Sequence, residues 1–213
     1  MQPIPPIPRA HNNTSPRPGL VTRPRAYLAG PDVFLEHVTA IAACKKRLCA
    51  AHGMEGVFPF DEATVERRRS PASIARAIGA ANEALIRNCD LVIANCSPFR
   101  GVSMDAGTAY EIGFARALGK PVFGYTNVVA DYRHRAERYR RLGDPLNADA
   151  AKSAIEDFGL AENLMIATAT VARDLVRIRV KPGRELVDQR GFVRCLALAA
   201  KAMASSSRRR RGG

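Results

Sequence analysis

The sequence predicts an α/β protein built on a parallel β-sheet, and three observations support this prediction. Short apolar runs such as 90–95 are typical of strands that are buried on both faces of a parallel sheet. Segments of 12–17 residues with helical spacing separate these runs, which is the pattern of right-handed βαβ units. At 213 residues, the chain is long enough for one domain with a substantial core.

The first half of the predicted domain contains two strands, at 25–30 and 55–60, and two helices, at 34–51 and 70–88. The first strand ends at the turn signal Gly30-Pro31, and Pro59 suits the end of the second strand because proline cannot continue the hydrogen-bond ladder. Ser70 and Pro71 are typical first residues of a helix. Apolar residues on one side of that segment indicate that the helix packs against the sheet.

The second half continues the alternation, with strands at 90–95 and 121–125 and helices at 106–118 and 192–204. Gly119 and Pro121 mark the end of the first of these helices, because glycine caps a helix and proline cannot prolong it. A short fifth strand is expected within 164–172 or 175–180. The charged stretch 131–150 is expected to form a mobile helical flap.

The two ends of the chain differ in composition from the predicted domain at 25–204. Residues 1–24 hold seven of the 14 prolines and predict a disordered basic arm, and the Ser/Arg-rich residues 205–213 predict a disordered tail. Much of the net charge of +13 comes from arginines in these two segments. The domain itself carries only a modest positive excess, which argues against a nucleic-acid-binding surface.

The remaining composition indicates a cytoplasmic protein without a metal or cofactor. The five cysteines have no CxxC spacing, which suggests reduced thiols. No stretch reaches 18 apolar residues, so no transmembrane helix is expected, and the proline-rich start lacks the apolar core of a signal peptide. The four histidines show no metal-binding spacing, and there is no glycine-rich phosphate loop.

The segment 95–122 places two carboxylates where a predicted strand gives way to a helix. Ligands of open α/β sheets bind at the carboxyl ends of the strands, so Asp105 and Glu111 are candidates for chemistry or binding. The small residue Gly107 would let a ligand approach the backbone. A second interpretation stays open, because Asp105 and the pair Thr108–Glu111 also fit the capping pattern of a helix start.

Further candidates lie on the first strand, at strand ends and on the helix that precedes the third strand. Tyr27 fits a core position, but its hydroxyl could also orient a carboxylate. Asn82 and Glu83 lie in the middle of a helix, and one of them could face the site. Three strand-end residues are either ligand contacts or turn residues: Gly30, Asp32 and Asp61.

Four separated pieces of the sequence carry most of these candidates. They are Tyr27-Leu-Ala-Gly-Pro-Asp32-Val-Phe34, Asn82-Glu-Ala-Leu-Ile-Arg-Asn-Cys-Asp90-Leu-Val-Ile-Ala, Asp105-Ala-Gly-Thr-Ala-Tyr-Glu111-Ile-Gly-Phe-Ala and Glu162-Asn163-Leu-Met165. In this order they resemble the nucleoside 2-deoxyribosyltransferase family, over about residues 25–170. The resemblance implies a flavodoxin-like, five-stranded parallel sheet with helices on both faces, and an oligomer built from homodimers.

The resemblance also implies a reaction and a set of roles. The family moves 2-deoxyribose between nucleobases of 2′-deoxynucleosides, so a deoxynucleoside and a free nucleobase are the implied partners. Glu111 would be the nucleophile that forms a covalent deoxyribosyl ester, with retention after two displacements. Tyr27 would orient that carboxylate. Asp105 and Asn163 of the partner subunit would bind the sugar's 5′-hydroxyl, and Met165 would help Asn163 to complete the neighbouring site.

The sequence departs from the family at two places that bear on the base. Asn82 stands where the best-known members have an aspartate that helps to protonate the leaving base, and asparagine cannot be a general acid. Glu83, Asp32 or water would then supply the proton, or Asn82 would only hydrogen-bond the base. Ala63 takes the place of a glutamine that contacts the base in some members, so the sequence leaves the base preference open.

Two other functions remain open from the sequence. One is hydrolysis of the base–sugar bond of a nucleoside or nucleotide, with water as the acceptor of the sugar. The other is a sensor domain that binds a nucleotide derivative without turnover, because a fold alone does not establish catalysis. Between substrates, Asp105 favours nucleosides over nucleotides, since a carboxylate 4 Å from a 5′-phosphate costs about 4 kcal/mol at an intermediate dielectric.

Overall fold

The computed structural model describes residues 23–59, 61, 70–143 and 152–211, without the side chains of 206–211. All but two residues of the predicted arm at 1–24, and also Ala63, lie outside the described residues. In the described part, no helix is long and apolar enough to cross a lipid bilayer.

Five parallel strands form one sheet in the order β2-β1-β3-β4-β5. The strands are β1 Arg25–Ala29, β2 Glu55–Val57, β3 Leu91–Asn95, β4 Val122–Thr126 and β5 Val176–Arg177. This arrangement confirms the predicted flavodoxin-like parallel sheet. The chain adds β2 on one side of β1 and then returns to add β3 on the other side. Such a reversal opens a crevice at the carboxyl ends of β1 and β3, where ligands of doubly wound sheets bind.

The helices pack on both faces of the sheet, as expected. They are α1 Val38–Ala51, α2 Pro71–Arg87, α3 Ala106–Ala117, α4 Tyr132–Leu142, α5 Leu164–Ala167 and α6 Arg190–Arg211. One apolar core lies between the sheet and α2 and α3, and the other lies between the sheet and α1 and α6. Side chains alternate between the two cores along β1, so Leu28 faces α1 and α6 while Tyr27 faces α2 and α3.

Three elements differ from the sequence expectations. A 3-10 turn at Pro31–Phe34 precedes α1, which begins only at Val38 because the backbone is extended at Leu35. The expected fifth strand is β5, which lies within the candidate segment 175–180. The other candidate segment, 164–172, instead contains the short helix α5.

The third difference corrects the predicted end of the last helix. We expected the helix to end at residue 204 and to be followed by a disordered tail, but α6 continues to Arg211. No proline or glycine interrupts residues 192–211, and Ser205 Oγ donates to the carbonyl oxygen of Lys201 at 2.9 Å, a bond that a helix accommodates.

Candidate active site

The centre of the candidate site is a hydrogen bond between Tyr27 and Glu111. Tyr27 is fully buried in the middle of β1, and Glu111 lies on the second turn of α3. The Tyr27 hydroxyl donates to Glu111 Oε1 at 2.6 Å. A bond this short to a carboxylate is characteristic of a charge-assisted hydrogen bond. Strand β1, which lies between β2 and β3, therefore fixes the direction of the Glu111 carboxylate.

Burial dominates the electrostatics of this pair. It raises the pKa of Glu111 to about 7, although the hydrogen bond from Tyr27 acts in the opposite direction, and the nearby charge of Asp105 raises it slightly further. Burial, together with the charge of Glu111, raises the pKa of Tyr27 well above its ordinary value. Tyr27 therefore stays a hydroxyl donor. Among the described residues, no cation forms an ion pair with Glu111.

Asp105 is the N-cap of α3. Its Oδ2 accepts hydrogen bonds from the backbone N–H of Thr108 at 2.9 Å and from the Thr108 hydroxyl at 3.0 Å. Among the described residues, no hydrogen bond reaches Oδ1. The capping interpretation therefore holds for Asp105 but not for Glu111, whose carboxylate bonds Tyr27 instead. At Gly107, a Cβ atom would lie 3.1 Å from Asp105 Oδ2, so a side chain there would crowd the cap.

Asp32 has a structural environment. Its Oδ2 lies 2.7 Å from Lys45 Nζ, and both side chains are only 1% exposed. The ammonium lies 5.1 Å from the ring centre of Phe192. Asp32 Oδ1 is buried and has no hydrogen-bond partner among the described residues. This arrangement favours a core role for Asp32 over substrate binding or proton donation.

The two other strand-end candidates, Gly30 and Asp61, also shape the backbone. A Cβ atom on Gly30 would lie 2.5 Å from Asp32 Oδ2 and 2.9 Å from Asn95 Cβ, so only glycine fits between β1 and the 3-10 turn. Asp61 closes a turn by accepting a hydrogen bond from the Phe58 N–H at 2.9 Å, and it pairs with Lys46 at 2.6 Å. These contacts favour the turn interpretation of both residues.

Asn82 and Glu83 have different environments on α2. The side-chain oxygen of Asn82 is buried and has no hydrogen-bond partner among the described residues. A buried amide oxygen without a donor is costly, which suits a group that a ligand completes. Glu83 accepts a hydrogen bond from the exposed Tyr110 and pairs with Arg87 at 3.5 Å.

Asn163 and Met165 lie at the start of α5. Asn163 is the N-cap of this short helix: its Oδ1 accepts from the Met165 N–H at 3.0 Å, and its Nδ2 donates to Glu156 Oε1 at 2.6 Å. The Met165 side chain is 70% exposed. The structure thus presents Met165 on the surface beside an ordered asparagine.

Sequence reasoning missed a buried ion pair between Arg135 on α4 and Glu162. Their side chains are 9% and 0% exposed, and Arg135 Nη2 lies 3.0 Å from Glu162 Oε2. Arg135 belongs to the arginine-rich run 133–141, which has the composition of a solvated helix face. No local signal distinguishes it from its neighbours. Glu162 belongs to one of the four sequence pieces that resemble the family, but no role was predicted for it.

Two clefts lie elsewhere on the surface, and neither is lined by the candidate residues Tyr27, Asn82, Asp105 or Glu111. One, of about 560 Å³, lies beyond β4 and β5, and the other, of about 700 Å³, lies between α1 and α6. Residues 62–69, which connect β2 to α2, are outside the described part. Among the described residues, no three His, Cys, Asp or Glu side chains are grouped so that they could hold a metal ion.

Comparison with known proteins shows which family and which solved structures the chain resembles. A family model described as nucleoside 2-deoxyribosyltransferase matches residues 26–165. An uncharacterized protein of Schizosaccharomyces pombe is 31% identical over 172 residues, which are 78% of this chain and 82% of that protein. The structure of a 2-desoxiribosyltransferase from Leishmania mexicana is 29% identical, with a TM-score of 0.52 over 72% of this chain and 89% of that chain.

A more distant structure shares the fold. A conserved protein from Enterococcus faecalis V583 is 19% identical, with a TM-score of 0.50 over 84% of this chain and 99% of that chain. At this identity the similarity concerns the architecture alone.

Proposed function

The chain belongs to the nucleoside 2-deoxyribosyltransferase family, and we propose that it moves 2-deoxyribose from one nucleobase to another through a covalent ester on Glu111. Family membership makes it a nucleoside deoxyribosyltransferase-like enzyme; the substrate and the steps are our proposal. The observation that carries the proposal is the 2.6 Å hydrogen bond from buried Tyr27 to Glu111. A half-buried carboxylate that is held by a neutral donor, and that has no cationic partner in the described part of the chain, is suited to act as a nucleophile.

The proposed reaction has two displacements. In the first, a Glu111 carboxylate oxygen attacks C1′ of the deoxynucleoside, the C1′–N bond breaks, and its electron pair leaves with the base. In the second, a nitrogen of the incoming base attacks C1′, and the ester bond to Glu111 breaks. Each displacement inverts C1′, so the product retains the configuration of the substrate. Tyr27 keeps the carboxylate aimed at C1′ in both steps.

The leaving base needs a proton, which Asn82 cannot supply. The unpartnered side-chain oxygen of Asn82 supports a different role, in which it accepts a hydrogen bond from the base. The contacts of Asp32 with Lys45, and of Glu83 with Tyr110, leave both acids poorly suited as proton donors. We therefore propose water as the source of this proton.

Asp105 carries the proposed preference for nucleosides. Its Oδ2 holds the start of α3, and its Oδ1 is available to accept a hydrogen bond from a 5′-hydroxyl. A 5′-phosphate would instead meet a like charge, which costs about 4 kcal/mol at 4 Å and an intermediate dielectric. A 2′-deoxynucleoside is thus the proposed substrate.

The proposed assembly is an oligomer built from homodimers. Met165 is a large, exposed apolar side chain next to Asn163, which fits a segment that reaches into the site of a second copy. Asn163 still has one amide hydrogen that its contacts with Glu156 and Met165 do not use. In the assembly, Asn163 of the partner subunit would donate a hydrogen bond through this amide hydrogen to the 5′-hydroxyl of the substrate.

A base-exchange assay tests the proposed function. Each of the four natural 2′-deoxynucleosides is incubated with the enzyme, with and without a second free base, and the products are separated by chromatography. We expect a new deoxynucleoside only when the second base is present, and little free deoxyribose. Equal release of deoxyribose in both reactions, with no new nucleoside, would show a hydrolase. No turnover of any of the four would reject the proposal.

A further inference from the structure

Arg135 and Glu162 join three segments near the start of α3, and we call this pair the Arg135–Glu162 clip. The guanidinium of Arg135 donates to the carbonyl oxygen of Val102 at 2.8 Å, and to those of Ala130 and Ala161 at 2.8 and 2.7 Å. It also donates to Glu162 at 3.0 Å. One side chain of α4 therefore holds the loop after β3, the loop after β4 and the segment before α5.

Glu162 completes the clip from the other side. Its Oε1 accepts a hydrogen bond from the Ser103 hydroxyl at 2.7 Å and another from the backbone N–H of Asn163 at 3.0 Å. Its Oε2 accepts from Arg135. Both oxygens of this fully buried carboxylate are thus satisfied, which is the condition under which a buried ion pair is tolerated.

The clip acts on the residues just before Asp105. Val102 and Ser103 stand three and two positions before Asp105, and both are held directly by the clip. The same loop is closed by a hydrogen bond from the Phe99 N–H to the Ser103 carbonyl oxygen at 2.9 Å. Asp105 then caps α3, so the position of its free oxygen depends on how this loop enters the helix.

We propose that Arg135 and Glu162 are positioning residues that hold the Asp105 carboxylate where it receives the sugar's 5′-hydroxyl. This inference rests on the proposed function. Neither residue touches the substrate in this account. Their effect passes through Val102 and Ser103 to Asp105, and Glu162 also holds the backbone N–H of Asn163, the second residue proposed to bind the 5′-hydroxyl. The effect therefore concerns recognition of the 5′-hydroxyl rather than the attack of Glu111 on C1′, and Ser103→Ala isolates the route to Asp105.

The geometry of the guanidinium is essential to this role. Arg135 donates in several directions at once from a rigid, planar group, whereas lysine is a compact charge that cannot hold three carbonyl oxygens and a carboxylate together. Arg135→Lys therefore keeps the charge in the interior but releases part of the loop. Glu162→Gln keeps the size of the side chain but removes the charge and one acceptor.

The test compares substrates with and without the 5′-hydroxyl. The kcat/KM values of wild type, Arg135→Lys and Glu162→Gln are measured for the best natural 2′-deoxynucleoside and for its 2′,5′-dideoxy analogue. We expect each variant to lose about tenfold on the natural substrate, since displacement of a binding group by a fraction of an ångström has effects of this order. On the 2′,5′-dideoxy analogue, we expect less than a twofold change.

Two residues on the outer side of α4 that are not part of the clip, Glu137 and Arg138, provide matched controls. Arg138→Lys and Glu137→Gln make the same chemical changes outside the clip, and we expect both to match wild type on both substrates. Equal losses on the two substrates in the clip variants would show a general structural role and overturn the inference. Wild-type values for both clip variants on both substrates would also overturn it.

A milder variant and a second measurement keep the test decisive. Ser103→Ala removes only the hydroxyl that joins the loop to Glu162, and we expect about a threefold loss that is again confined to the natural substrate. If wild type turns over neither substrate, the proposed function fails. The clip is then judged by amide hydrogen exchange: the segment 102–108 should exchange faster in Arg135→Lys than in Arg138→Lys, and equal rates would reject the clip.

Discussion

Each face of the sheet covers an acidic side chain, and the two acids have partners of opposite kinds: Asp32 is fully buried, and Glu111 is half-buried. On the face of α2 and α3, Glu111 has a neutral partner, the Tyr27 hydroxyl, and burial raises its pKa to about 7. On the face of α1 and α6, Asp32 has a cationic partner, Lys45, at 2.7 Å. A cation neutralises an acid and makes it part of the core. A neutral donor orients an acid and leaves its reactivity available.

The largest effect, a loss of activity, should come from removing Glu111, the acid whose partner is the neutral Tyr27 hydroxyl. Glu111→Ala takes away the proposed nucleophile, so we expect kcat to fall by roughly 10⁴-fold or more. Binding of the deoxynucleoside should change by less than about tenfold, because the contacts to the rest of the ligand remain. Steady-state kinetics and calorimetric titration measure the two quantities. Glu137→Ala, on the surface of α4, serves as the control, and substantial activity in Glu111→Ala would exclude the covalent mechanism.

On the opposite face, loss of the cation should affect stability. Lys45→Met leaves the Asp32 carboxylate buried without its partner, and we expect the free energy of unfolding to fall by about 3–5 kcal/mol. Urea denaturation measures this value. Lys46→Met, one residue along, removes an exposed cation and should cost less than about 1 kcal/mol. The double variant Asp32→Asn/Lys45→Met should recover most of the loss; similar values for Lys45→Met and Lys46→Met would contradict the comparison.

The raised pKa of Glu111 has a cost in stability with a defined pH dependence. The folded protein binds the Glu111 proton more tightly than the unfolded chain does. This residue therefore destabilises the fold increasingly as the pH rises from 4.5, the ordinary pKa of a glutamate, to about 7, the pKa of Glu111 in the folded protein. Glu111→Gln removes the charge and keeps an acceptor for Tyr27. We expect it to raise the free energy of unfolding by about 2–3 kcal/mol at pH 8 and to have little effect at pH 4.5. A gain that is independent of pH would refute this assignment.

The smallest effect should come from removing the hydroxyl of Tyr27, the neutral partner of Glu111. Tyr27→Phe removes the hydrogen bond that favours the charged form of Glu111, and we expect about a tenfold loss in kcat/KM. In wild type, activity should rise with pH through about 7, the pKa of Glu111, because the proposed mechanism requires the deprotonated carboxylate. In Tyr27→Phe this midpoint should move to higher pH. Tyr139→Phe, on the exposed side of α4, is the control, and an unchanged pH profile in Tyr27→Phe would remove Tyr27 from its orienting role.

The sequence was sufficient for the features that depend on local patterns. The strands and α1 to α3 follow from short apolar runs, helical spacing and glycine or proline at the ends. Glu111 and Tyr27 were predicted because strand ends meet at one edge of the sheet and because the four pieces resembled a known family, and their catalytic roles stay predictions. The assignment of Asp105 was open between cap and ligand contact. The structure shows the cap and leaves one oxygen for the other role.

The features that the sequence could not show depend on pairing at a distance. The sequence left Asp32 open between a ligand contact and a turn residue. It did not show the ion pair, because the partner, Lys45, follows 13 positions later among residues that are typical of a helix surface. Arg135 could not be separated from the other arginines of α4, since only its tertiary contacts bury it. Burial of a charged side chain depends on what packs around it, and no local spacing records that.

The position of Tyr27 has a consequence for how the protein should respond to heat. The hydroxyl that aims Glu111 is anchored in β1, which is hydrogen-bonded to β2 on one side and to β3 on the other. It cannot move away unless the middle of the sheet opens. Loss of the Tyr27–Glu111 hydrogen bond on heating should then coincide with loss of the tertiary structure of the subunit, whereas a pair held on surface loops would separate at a lower temperature. Residual catalysis thereby becomes a reporter of the intact domain.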